Sequence, residues 1–184
     1  MNVRSFISVD VSIKDSIGKL QDRIVLEEDW KNQQVKPVEK QNLHFSIIFL
    51  GEITLEAVDI LKSRLSGLIF HPFTVTYKGL GVFPSSTNAR IVWMGTDTDG
   101  GKKLSSLSQK IVNSIDDMGF TPDKPFIPHV TLFRIKNKKL RTLNLSRYNN
   151  QCFGSDFIDR IHLKKSDLTK NGPIYSVLFT VYGK

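Results

Sequence analysis

The chain has little cysteine, a deficit of acidic residues and no long apolar run. One cysteine, Cys152, among 184 residues excludes an internal disulfide framework and any multi-cysteine metal cluster, and suits a reducing compartment. It is expected as a small core residue. No stretch approaches the ~20 apolar residues of a spanning helix, and MNVRSFISVD at the start lacks the apolar run of a signal peptide. A soluble, cytoplasmic protein without membrane contact is therefore expected. Metal motifs are missing too: there is no H-E-x-x-H, no Cys pair and no His-rich tract, so neither a metal nor a cofactor is implied. A G-x-S-x-G nucleophile elbow is absent. GLGVF (79–83) is not followed by the Gly-Lys-Ser/Thr of a P-loop, and its glycines read as marks of a bulge or close backbone approach.

The acid deficit leaves 26 Lys and Arg against 18 Asp and Glu, a net charge of +8. Such a balance favours an anionic partner, nucleic acid or a phosphorylated metabolite, although a solvated basic face is an equally ordinary source of it. The length suits one domain of two small lobes spanning 1–184.

RSFISVDV (4–11) alternates as a strand, with Ser12 as the expected cap of a helix whose face is Ile13, Ile17, Leu20 and Ile24. An extended VKPV leads into the strand LHFSIIFLG. Thr54 is placed to cap a second helix with the stripe Val58, Leu61, Leu65 and Leu68. FTVTYKGLGVF and ARIVWMG read as a hairpin across PSSTN. A third helix is expected after DGGKK, with the stripe Leu104, Leu107, Ile111 and Ile115 and Gly119 at its end. PFIPHVTLFRI, a short helix near KKLRTLNL, and strands near DFIDRIHL and IYSVLFTVY complete the chain. Strands mixed with helices without regular β-α-β alternation predict an α+β fold: two pseudo-symmetric lobes of mostly antiparallel sheet, outer helices, and a groove between the lobes.

HFSI (44–47) and HVTL (129–132) repeat one unit: histidine, apolar, hydroxyl, apolar. By chance this pattern follows a given histidine about one time in forty at this composition. Two of the four histidines carry it, whereas His71 and His162 lack a hydroxyl two residues on and read as ordinary surface or core residues. On a strand, residues two apart share a face about 6.5–7 Å apart, so each unit presents an imidazole and a hydroxyl together. Two such faces across a groove supply one group to remove a proton and one to donate it. The two hydroxyls are suited to bond phosphate oxygens. The constellation fits cleavage of a phosphodiester without a metal.

Paired motifs of this kind, with RSFISVD, NLHFSIIFLGE, GLGVFPSSTNARIVWMG, PFIPHVTLFRIK and LKKSDLTKNGPIYSVL in order, resemble the two-histidine phosphoesterase superfamily. The resemblance covers nearly the whole chain and is to its RNA 2′,3′-cyclic phosphodiesterase branch, also called 2′-5′ RNA ligase (LigT/ThpR-like). It implies that His44 and His129 are catalytic and that Ser46 and Thr131 hold the phosphate; Ser46 stands where the family often has Thr and keeps the hydroxyl. Arg134 matches a basic residue common after the second motif. On a regular strand Arg134 would share a face with Lys136 rather than His129, so its contact needs a twist or bulge.

By analogy His129 is the base and His44 the acid, although the near-symmetric units do not themselves order the two. The implied activity is hydrolysis of RNA 2′,3′-cyclic phosphate ends to 2′-phosphate, with 2′-5′ ligation as its reverse. The implied partner is RNA, tRNA fragments among it, and a monomer is expected. RIKNKKLR (134–141) is a candidate guide for RNA, and Phe83, Trp93 and Phe126 are candidates to stack a terminal base. Two other readings stand beside this one: an RNA-end-binding module without catalysis, and a sister phosphodiesterase acting on a small cyclic nucleotide derivative.

Overall fold

A computed structural model describes residues 2–31, 34–122, 124–136, 143–170 and 172–184. Among these lie nine strands, β1 (Asn2–Asp10), β2 (Val35–Pro37), β3 (His44–Thr54), β4 (Phe73–Phe83), β5 (Ile91–Thr96), β6 (Val130–Ile135), β7 (Cys152–Ile158), β8 (Arg160–Thr169) and β9 (Gly172–Tyr182). The helices are α1 (Lys14–Glu27), α2 (Leu55–Ser66) and α3 (Thr98–Ser114). The strands form one sheet in the order β7-β4-β5-β6-β3-β1-β8-β9, with β2 added on β6, and every pairing is antiparallel. This is the expected α+β arrangement. The expected stripes of α1, α2 and α3 are buried, apart from the partly buried Ile13 at the start of the first.

The two halves of the sheet meet at a single residue pair, Phe45 with Val130. These are the residues directly after the two motif histidines, and both side chains are fully buried. Around that pair the halves repeat each other in register. Ile7 pairs with Ile48 and Ser8 with Ser46, while Val92 pairs with Phe133 and Trp93 with Thr131. At this point each ladder skips the last residue of its motif, Ile47 in β3 and Leu132 in β6, and the β1–β3 ladder skips Leu50 as well. A β-bulge at that point shifts the alternation by one. Burial follows the same seven-residue pattern in both, half-buried at His, buried, half-buried at Ser or Thr, buried, buried, exposed, buried.

Beyond the seam β6 takes β2 as its neighbour, with Lys36 opposite Arg134. β2 and β3 thus flank the same edge of β6, interrupted by an excursion through a 3₁₀ turn at Lys40–Asn42. The buried amide of Gln21 on α1 pins the start of the excursion, donating to Val38 O (3.0 Å) and to Leu132 O (2.8 Å). Interrupted pairing is what leaves room for a groove.

Several local expectations are corrected. Ser12 does not cap α1: its amide and hydroxyl donate to the buried Asp156, and Ile13 takes the N-cap position without a side-chain bond. Helix α3 starts at Thr98, so DGG lies in its first turn, because Asp97 caps it by accepting from Gly100 N (3.0 Å). Its α-helical turns stop at Ser114, and Gly119 (φ +79°) ends the 3₁₀ turn Asp116–Met118 that follows. DFIDRIHL contains the end of β7 and the start of β8, parted at Asp159. Cys152 is exposed at the start of the edge strand β7 rather than in the core. The helix expected near KKLRTLNL falls mostly outside the described residues. Thr54 caps α2 as expected, accepting from Ala57 N (3.2 Å).

Gly79, at φ +73°, sits at a register shift between Tyr77 and Leu80, the bulge its sequence suggested. Gly81 serves close approach instead: it pairs with Trp93, whose ring lies so near that a Cβ on Gly81 would stand 2.2 Å from Cζ2. Overpacking of this kind costs about 1–3 kcal/mol. Gly81→Ala is expected to lose that much stability in urea unfolding and to shift Trp93 emission. Gly67→Ala, where the new Cβ would meet nothing closer than 3.6 Å, should change neither.

Candidate functional site

The seam sets the positions of the motif side chains. Continuing the Phe45–Val130 register by one residue each way puts His44 opposite Thr131 and Ser46 opposite His129. All four line one groove of about 220 Å³, together with Arg134, Phe49, Tyr175, Asn42, Lys36 and Glu39. The structure thus brings together His44, Ser46, His129, Thr131 and Arg134. Arg134 joins because the bulge at Leu132 moves it onto the face of His129 and Thr131.

Both imidazoles are oriented in the same way. His44 Nδ1 lies 2.7 Å from Asn42 O, and His129 Nδ1 lies 2.7 Å from Ile127 O. A carbonyl only accepts, so Nδ1 carries the proton in each ring and Nε2 of the neutral ring is an acceptor. Ser46 Oγ donates to His44 Nε2 at 2.9 Å. Burial pushes the pKa of His44 down to about 4, with Lys164 and Arg134 adding to the fall and the Asn42 carbonyl and Asp10 opposing it. Burial also lowers His129, against its Ile127 carbonyl. Both shifts favour the neutral ring.

The walls differ between the lobes. Phe6 and Tyr175 pack on His44 at 5.1 and 5.4 Å between centroids. Phe83 and Trp93 pack edge-on to His129 at 5.0 and 6.0 Å. Phe83 and Trp93, weighed between base platform and core, are thus part of the support of His129, and Phe126 packs partly buried against the core. The exposed aromatic at the groove is Phe49, 71% exposed, with its ring 6.0 Å from that of Phe6. It occupies the same place in β3 as Arg134 in β6, since Phe49 pairs with Phe6 as Arg134 pairs with Ile91. Laying the two motifs over seven residues rather than four would have found it. Tyr175 carries no such signal, because β9 brings it in from a distant part of the chain.

His71 is exposed and meets the carbonyl of Lys184, and His162 lies off the groove against Thr180. Among the described residues no three His, Cys, Asp or Glu side chains gather so as to hold a metal ion, and no helix is long and apolar enough to cross a membrane. Of the basic run 134–141, Arg134 and Lys136 are described and 137–141 lie outside the described residues.

The low pKa of His44 has a sign that stability measurements read. An unfolded chain takes up this proton near pH 6.5, whereas the folded chain takes it up only near 4. Stability is therefore lost as pH falls from about 6.5 towards 4, by on the order of 3 kcal/mol from this group. His44→Gln should lose less stability than the parent between pH 7 and pH 4.5 in urea unfolding. An equal loss in both proteins would show that His44 does not titrate in this way.

A family model described as LigT like Phosphoesterase matches residues 7–93 and 95–175. An RNA 2′,3′-cyclic phosphodiesterase of Aquifex aeolicus is 38% identical over 98% of this chain and 97% of its own length. One of Archaeoglobus fulgidus is 35% identical over 96% and 98%. Among solved structures, E. coli LigT complexed with 3′-AMP superposes with a TM-score of 0.80 at 21% identity, covering 99% of this chain and 98% of that one. TT0787 of Thermus thermophilus does so at 0.77 and 24%, covering 97% of each. With the matched family model spanning both histidine motifs, the chain belongs to the LigT-like phosphoesterases.

Proposed function

We propose that this phosphoesterase opens the 2′,3′-cyclic phosphate at RNA ends to a 2′-phosphate, using His44 and His129 as its proton-transfer pair and no metal. The observation that carries the reading is the seam register, which sets an imidazole of each lobe beside a hydroxyl of the other, with Arg134 on the same groove. The names of the Aquifex and Archaeoglobus relatives support the substrate class.

In this reading the cyclic phosphate sits between the histidines. His129 Nε2 takes a proton from water as the water oxygen bonds to phosphorus. On the opposite side His44 Nε2–H gives its proton to the 3′ oxygen as the bond from phosphorus to that oxygen breaks. His44 must enter the step protonated. Once Nε2 bears a proton it no longer accepts from Ser46, and the Ser46 hydroxyl is free to donate to a phosphate oxygen instead. Thr131 and Arg134 supply further donors to the charge that builds on the phosphorane-like transition state. An exposed ring at Phe49 gives a terminal base a flat face to stack on. With a 5′ hydroxyl of a second RNA end in place of water, the same step forms its bond to phosphorus as the bond to the 3′ oxygen breaks, which is 2′-5′ ligation.

His44→Ala and His129→Ala should each lower turnover of a 2′,3′-cyclic nucleotide about 10²–10⁴-fold with the fold retained, while His71→Ala does little. Ser46→Ala and Thr131→Val should each cost roughly 1.5–3 kcal/mol of transition-state stabilisation. Activity should survive EDTA. Phosphorus NMR of the product decides the polarity: 2′-phosphate is expected, and mainly 3′-phosphate would reverse the placement of acid and base. A groove that binds the nucleotide without turnover would leave only an RNA-end-binding module.

A further inference from the structure

The register that relates the two halves also shows where their chemistry parts. Phe83 pairs with Ile91 as Lys164 pairs with Phe6, so Phe83 and Lys164 hold matching positions beside the two histidines. Gly81 opposite Trp93 matches His162 opposite Ser8, and Gly95 lies two residues beyond Trp93 as Asp10 lies beyond Ser8. Around His129 these places are apolar or empty of side chain. Around His44 they hold a polar cluster, partly buried at Asp10 and His162 and buried at Lys164.

In that cluster Lys164, 4% exposed, donates Nζ to Asp10 Oδ1. The other Asp10 oxygen lies 3.9 Å from His162 Nε2, and His162 Nδ1 lies 2.9 Å from Thr180 Oγ1. Asp10 is the cross-strand partner of His44. Its carboxylate nevertheless goes to Lys164, while the ring nitrogens of His44 are taken by Asn42 O and Ser46. Burying an ammonium costs several kcal/mol before pairing offsets it. Packing alone gives no reason for that cost, since Phe83 fills the matching place with an apolar ring.

We propose that Lys164 is a positioning residue: by holding Asp10 it denies His44 a carboxylate partner and so gives the two histidines unequal proton affinities in a nearly symmetric groove. The proposal rests on the two-histidine reading above. An Asp10–His44 dyad would bind its proton too firmly to yield it to a departing oxygen. With Lys164 in place a proton on His44 is readily given up. The charged and titratable groups facing His44 are Asp10 from β1, Lys164 from β8, Arg134 from β6 and the Tyr175 hydroxyl from β9. His129, Lys36 and Glu39 share the groove, and His162 from β8 faces Asp10 rather than the ring.

The test is an NMR titration of the imidazoles in the substrate-free protein, with the pH profile of kcat/KM on 2′,3′-cyclic AMP beside it. Lys164→Met removes the cation and frees Asp10. Lys164→Gln removes the charge but keeps a donor for Asp10, and serves should the first variant not fold. In either, the His44 titration should rise by at least about one unit from about 4, tenfold or more in proton affinity, and a limb of the rate profile should move with it. Asp10→Asn should move His44 the other way, and His129 should stay in place in all three. An unmoved His44 in a folded Lys164 variant, or an equal shift of His129, overturns the role of Lys164. A parent protein that turns over no cyclic phosphate overturns instead the reading of the groove, whatever the titration shows.

Discussion

One backbone pairing governs this molecule, that of Phe45 with Val130. Were β3 and β6 hydrogen-bonded along their whole length, the sheet would run unbroken and the motif residues would lie on an open face. Pairing stops after one residue pair, β2 takes over the edge of β6, and the intervening excursion from Val38 to Leu43 leaves a groove. Phe45 and Val130 are both fully buried, and Phe45 stacks on the buried Tyr77 at 5.8 Å. A slip of one residue in either strand would turn its imidazole into the core and its apolar residue into the groove. Burial of the motif's second residue is therefore what keeps the first and third aimed into the groove.

The paired bulges answer a second constraint. A regular strand puts residues 129, 131 and 133 on one face, and Phe133 is wholly buried. Skipping Leu132 in the ladder sends Phe133 inward and Arg134 outward, so His129, Thr131 and Arg134 all reach the groove from one short stretch. β3 has the same skip at Ile47 and brings out Phe49. Fold symmetry thus offers one outer position per lobe. The chain fills one with a guanidinium suited to a phosphate and the other with a ring suited to a base.

The helices and most strands were legible because their signals are local: stripes at helical spacing on α1, α2 and α3, alternation in β1, and turn residues between β4 and β5. His44, Ser46, His129 and Thr131 were legible for the same reason, each pair being two residues apart on one strand. What escaped is set by tertiary partners. Ser12 has the residue type of a cap, yet Asp156, 144 positions away, claims its hydroxyl. Asp97 displaced the expected start of α3 by offering a better cap to the glycines. Phe49 lay hidden because alternation from His44 assigns it to the core, and only its alignment with Arg134 over seven residues points the other way. Lys164 gave no hint at all, since LKK reads as solvated charge until β1 and β9 close over it.

Symmetry poses its own chemical difficulty. Acid–base cleavage needs one imidazole neutral and one charged at the same moment, and two identical sites would titrate together as a coupled pair. The twin motifs, the twin Nδ1 bonds and the twin bulges make the rings alike in geometry, so any difference has to come from what lies behind them. Burial favours the neutral form of both rings. An incoming phosphate monoanion is the opposite influence, because a negative charge at hydrogen-bond distance favours the protonated ring. In the proposed reaction the substrate thus helps to load the proton that its own leaving oxygen takes, and the unlike surroundings, Lys164 with Asp10 behind one ring and Phe83 with Trp93 against the other, make the two rings give up a proton with unequal ease.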